Sequence, residues 1–167
     1  TTPLFVEAAM VSSHAPWTPI LPIIEWDSVG DGAVFEPYRV DGYPPEELWW
    51  DVPVLREGYA LSLDYSLHAM AEFAERFLDE RTLLVVFGDH QAAPWVTAAS
   101  NPDVPVHVIA RDPDLIEPFL AWGFRPGAFP DPQDSPPRMD EFREWFVRAF
   151  SGSTPDSAGL STEGGGS

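Results

Sequence analysis

The chain has 167 residues, 44% of them hydrophobic and 13% aromatic, which is enough apolar material for a globular domain with a buried core. Its net charge of −18, with all 9 basic residues arginine and none lysine, excludes the basic patch that neutralising a nucleic-acid backbone requires. The lack of cysteine excludes disulfides, zinc ribbons and thiol nucleophiles.

The chain opens on Thr1-Thr2-Pro3 without an initiator methionine and reads as a fragment of a longer protein. Leu4 to Val11 is a short apolar run bounded by Ser12-Ser13, and it predicts a buried strand with His14 just past its end. From Ala15 to Pro53 prolines recur among Trp17, Trp26, Trp49 and Trp50, so a long ordered loop region is expected. Leu63, Leu67, Met70, Phe73 and Phe77 then fall at helical spacing, predicting an amphipathic helix from Tyr59 to Glu80.

Leu83 to Phe87 is a continuous apolar, β-branched run closed by Gly88-Asp89-His90, the pattern of a strand covered on both faces. A helix followed by such a strand predicts an α/β fold with a mostly parallel sheet flanked by helices. A further strand is expected over Val104 to Ala110. A short helix follows from Asp114 to Trp122, with Asp112 as N-cap, Pro113 at its first position and Gly123 at its end. A last amphipathic helix spans Arg138 to Phe150, so the expected domain covers 1–150 and a small, polar, disordered tail covers 151–167. No run approaches the roughly 20 apolar residues of a membrane helix, and no signal peptide is visible.

Reactive groups gather where parallel strands end, and Asp89-His90 and His14 fall at such ends. An adjacent aspartate and histidine offer a cation one hard oxygen and one imidazole nitrogen. By spacing alone the pair fits equally a strand-end turn with an incidental histidine. His14 is either a structural loop histidine or a substrate-contacting or metal-linked one. His107 reads as a core histidine and His68 as a helix-surface one. Trp17, Trp49, Trp50 and Trp95 form either a substrate-facing rim or the packing of loops onto the body. Arg39 and Arg56 either orient an anion or make solvated salt bridges. With so acidic a chain, an anionic substrate needs a local positive centre.

The run Thr82 to His90, with the helix before it, resembles the alkaline phosphatase/sulfatase superfamily, especially its sulfatase-like and lipoteichoic-acid-synthase-like membrane-anchored branch. Ser13-His14-Ala15-Pro16-Trp17 resembles a second element of that family, so the similarity covers about residues 4 to 150, the C-terminal part of a catalytic domain. The resemblance implies a metal-dependent hydrolase or transferase acting on phosphate or sulfate esters. It implies that Asp89 and His90 hold one divalent metal ion (Mn, Zn, Mg or Ca), that His14 is catalytic and contacts the transferred group, and that Gln91 and Trp17 line the substrate. The nucleophile of that family lies upstream of the region present, so the fragment alone is expected to be inactive. The implied substrate is an anionic small molecule, lipid or glycan ester, and the implied parent is anchored in the cell membrane with this part outside the cytoplasm. The alternative is a non-catalytic extracellular binding domain that retains the fold.

Overall fold

A computed structural model describes residues 2–17, 20–38, 51–98, 101–130 and 135–151. The expected tail beyond Ser151 lies outside them, as do Arg39, Trp49 and Trp50. The chain divides into two compact units, Thr1–Ile116 and Glu117–Ser167.

The first unit is organised around one long helix. A short helix, α1 (Trp26–Val29), and a 3-10 turn (Ala33–Tyr38) precede it. The long helix, α2, runs Val52–Phe77, beginning about two turns earlier than the predicted start at Tyr59. Asp51 caps it by accepting a hydrogen bond from the Val54 amide at 3.3 Å, and Pro53 sits in the first turn, where its missing N–H costs nothing. The loop before α2 is pinned to its far end: the Trp26 ring packs 5.3 Å from Phe77 and its Nε1 donates to Glu72 at 3.1 Å. A hydroxyl chain pins the near segment, because Ser66 Oγ donates to the Ser62 carbonyl at 2.9 Å and so accepts from Ser12 Oγ at 3.0 Å.

After α2, the turn at Asp79 accepts hydrogen bonds from Thr82 Oγ1 at 2.7 Å and the Arg81 amide at 2.9 Å. The Thr82 bond, foremost, holds the Asp79 carboxyl below the usual carboxylate range. Strand β1 (Leu83–Phe87) leads to a one-turn helix, α3 (Pro94–Thr97), and then to β2 (Val106–Ala110). Both strands fall where the sequence predicts, but the sheet does not. β1 and β2 pair antiparallel, with Leu83 opposite Ala110 and Phe87 opposite Val106, and among the described residues the sheet has these two strands alone. The expected mostly parallel sheet flanked by helices is therefore corrected to a predominantly helical chain with a two-stranded antiparallel sheet. Among its described residues the connection from β1 to β2 carries a single helical turn in place of a crossover helix, so β2 returns against β1 in the opposite sense. The expected strand over Leu4 to Val11 is corrected too. Residues 2–10 have no regular structure, and Leu4, Phe5 and Val6 are exposed, because no strand edge among the described residues receives them.

Arg111, just past β2, closes the unit. Its Nε donates to the Leu78 carbonyl at 2.7 Å and its Nη2 to the Glu75 carbonyl at 3.0 Å, satisfying carbonyls that the end of α2 leaves without helical partners. Next, Asp112 caps the 3-10 turn Pro113–Leu115 through the Asp114 amide at 3.0 Å.

In the second unit, α4 (Glu117–Ala121) ends at Gly123, whose φ of +97° suits glycine. The fully buried Phe119 ring lies 5.0 Å from Trp122, 5.5 Å from Phe124 and 6.3 Å from Phe142 on α5 (Met139–Phe150). Among the described residues no helix is long and apolar enough to cross a membrane.

Replacing Arg111 with alanine leaves two helix-end carbonyls without their charged donor and should lower unfolding free energy by about 1–2 kcal/mol. Urea denaturation of the variant measures this, and an unchanged midpoint would show the contact to be idle.

Candidate functional site

Two loops meet over the first turns of α2. Trp17, Leu55 and Val96 form a buried cluster, and Ala15, Tyr59, Ala92 and Ala93 pack against it. The segment carrying His14 and the segment carrying Asp89 and His90 thus rest on one apolar platform. The Trp17 ring sits 5.1 Å from that of Tyr59, and its Nε1 donates to the Ser13 carbonyl at 3.0 Å, so the indole anchors the turn on which His14 stands. Only 6% of Trp17 is exposed, which places it in packing rather than in a substrate-facing rim. Trp95 is 41% exposed.

Asp89 and His90 project into solvent from the segment after β1. The Asp89 carboxylate accepts the His90 backbone amide at 2.9 Å through Oδ1. The His90 ring lies 2.8 Å, through Nδ1, from the Gln91 carbonyl. A carbonyl oxygen can only accept, so Nδ1 carries the proton and Nε2 of the neutral ring presents a lone pair. That Nε2 lies 3.7 Å from Asp89 Oδ2, with the two side chains 70% and 86% exposed.

Two donor atoms at this separation fit a shared cation. Bonds of about 2.0–2.1 Å meeting at a tetrahedral angle put ligand atoms about 3.3 Å apart. Side-chain rotation of exposed groups covers the remaining few tenths of an ångström. The donor types, one carboxylate oxygen and one imidazole nitrogen, suit zinc or manganese. Among the described residues no group of three or more histidine, aspartate or glutamate side chains is gathered closely enough to hold a metal. No third histidine or carboxylate is gathered with the pair among the described residues, and His14 does not join it.

His14 repeats the arrangement of His90. It is exposed, and its Nδ1 donates to the carbonyl of the next residue, Ala15, at 2.7 Å. Gln91 plays a structural part, since its side-chain amide donates to the Asp103 carbonyl and ties the loop to the approach to β2. His68 faces Glu72 one turn along α2 at 3.1 Å, and His107 stands opposite Val86 in the sheet. Arg56 makes neither of the contacts weighed from sequence. Its Nε and Nη2 both donate to the Trp95 carbonyl, at 3.1 and 2.8 Å. No spacing in the sequence signals that bond, which joins residues 39 apart.

Compared with protein-family models, with curated proteins and with solved structures, the chain matches none.

The hydrogen bonds to Gln91 and Ala15 fix a tautomer, and this is measurable. Long-range 1H–15N correlation spectra recorded well above the ordinary histidine range should show His90 and His14 as Nδ1–H forms with unprotonated Nε2. An Nε2–H form at His90 would contradict the tautomer that the Gln91 carbonyl sets.

Proposed function

We propose that this chain belongs to a metal-dependent hydrolase or transferase of the alkaline phosphatase/sulfatase type, with Asp89 and His90 as metal ligands and an anionic phosphate or sulfate ester as substrate. The observation that carries this reading is the orientation of the pair: the His90 Nδ1–H is spent on the Gln91 carbonyl, and Nε2 faces Asp89 Oδ2 at 3.7 Å. Metal-binding histidines are held in this way, with the second ring nitrogen donating to a carbonyl or carboxylate.

A divalent ion bound there supplies Lewis-acid polarisation of a phosphoryl or sulfuryl oxygen. It also answers the electrostatic problem set by the composition, since a chain of net charge −18 repels an anionic ester until a local positive centre draws it in. Asp89 and His90 fix where that centre stands. His14, on the adjoining loop, orients the ester. When protonated it donates through Nε2–H to the leaving oxygen and keeps its Nδ1–H on the Ala15 carbonyl, so the ring does not swing as the proton departs. Trp17 beneath it supplies rigidity through packing. The parent protein, in this reading, is membrane-anchored and presents the site outside the cytoplasm.

Inorganic phosphate tests the reading because it is the simplest anion of the right class. In calorimetry, phosphate should bind the Mn2+-loaded chain and fail to bind the metal-free chain, and Asp89→Asn should abolish both Mn2+ and phosphate binding. Phosphate binding that is indifferent to Mn2+, or Mn2+ binding unaffected by Asp89→Asn, would contradict the assignment.

A further inference from the structure

We propose that the β1–β2 ribbon takes a third strand from a partner: an extended apolar peptide segment flanked by basic residues, laid along one of the ribbon's outer edges. A two-stranded antiparallel pair satisfies one side of each strand and leaves the other side's N–H and C=O groups pointing outward. β1 and β2 pair from Leu83 opposite Ala110 to Phe87 opposite Val106, and among the described residues no further strand joins either. Beyond that pairing, no hydrogen bond among the described residues reaches Leu83–Phe87 or Val106–Ala110.

Proteins usually blunt such an edge with a charge, a proline or a bulge. None of these is present here. The strands read Leu-Leu-Val-Val-Phe and Val-His-Val-Ile-Ala, without a carboxylate, arginine, lysine or proline, and their register runs without interruption. Phe87 is 55% exposed and Ile109 41%. A lone pair of strands is marginal in water, and a third supplies both backbone bonds and apolar cover.

The charges at the ribbon's ends select the occupant. At the Leu83–Ala110 end stand Asp79, Glu80, Asp112 and Asp114. The two arginines there are already engaged, Arg81 with Asp79 at 3.6 Å and Arg111 with the Leu78 and Glu75 carbonyls. At the Phe87–Val106 end stand Asp89 and Asp103, and the chain from Thr82 to Ala110 has no arginine or lysine at all. An incoming strand thus meets an apolar stretch with negative charge at both ends, which basic side chains at its own ends complement. The chain's exposed run Leu4 to Val11 is apolar but carries Glu7 and no basic residue, and a second copy brings a net charge of −18. Like charge disfavours both. Backbone bonds along the edge supply affinity, and the flanking carboxylates supply the choice of partner.

The test uses the full chain and a synthetic peptide of alternating valine and threonine with two arginines at each end. One control peptide carries glutamates in place of the arginines. A second keeps the arginines but is N-methylated throughout its core, which preserves charge and removes every donor a strand needs. The readout is amide hydrogen exchange. The arginine peptide at saturation should slow, by about tenfold or more, amides of β1 or β2 that exchange freely in the chain alone, and neither control should do so. Equal slowing by the N-methylated peptide, or binding of the arginine peptide that leaves the strand amides untouched, would reduce the effect to attraction by an acidic surface and overturn the proposal. Equal slowing by the glutamate peptide would overturn the basic partner. Self-association of the chain without peptide, with the same amides protected, would make a second copy the occupant and overturn it as well.

Discussion

The packing of Trp17 against Leu55 and Val96 is the contact on which the first unit's functional reading depends. Each residue comes from a different segment: the turn after Val11–Ser13, the first turns of α2, and the single turn of α3. None of these segments has a core of its own. Burial of an aromatic ring on a shared helix face brings two otherwise irregular stretches together, beside the Ser12–Ser66 and Arg56–Trp95 hydrogen bonds, and burial of this kind is worth about 1.5–3 kcal/mol for each large apolar side chain. The polar contacts then refine what the apolar ones assemble. Trp17 Nε1 takes the Ser13 carbonyl, Arg56 takes the Trp95 carbonyl, and Gln91 takes the Asp103 carbonyl.

Electrostatics sets the second constraint. A chain this acidic can use an anionic substrate only by concentrating positive charge at one point, and several of its arginines are committed elsewhere. Arg76 pairs with Asp27, Arg138 with Asp140, Arg148 with Glu144, and Arg111 with backbone carbonyls at the end of α2. Asp89 and His90 are exposed and adjacent, with His90 Nε2 3.7 Å from Asp89 Oδ2, and this is the corner of the unit at which the proposed cation would sit.

Much of the local structure was legible from residue pattern. The helical spacing from Leu63 to Phe77 and the β-branched run from Leu83 to Phe87 each correspond to an element in place. The start of α2 was hidden because Pro53 reads as a loop residue when its position in a first turn is unknown. Strand direction was hidden for a deeper reason. An apolar run predicts burial on two faces, but Leu83 to Val86 are only half-buried and Phe87 is exposed, and strand direction lies with the connection rather than with the run. Leu4 to Val11 shows the converse: apolar composition makes a strand only where an edge is present to pair with it. At the candidate site the residue types were visible at once in Gly88-Asp89-His90 and Ser13-His14. The features that give them chemical meaning were not. Ring tautomers set by neighbouring carbonyls, and a guanidinium reaching a carbonyl 39 residues away, leave no periodicity to read.

The most direct measurement of the central claim is an anomalous difference map from crystals of this chain grown with Mn2+. The expected result is a peak bonded to His90 Nε2 and to an Asp89 carboxylate oxygen, with the His90 Nδ1–H still on the Gln91 carbonyl. Manganese found only on other carboxylates, with Asp89 and His90 unengaged, would contradict it.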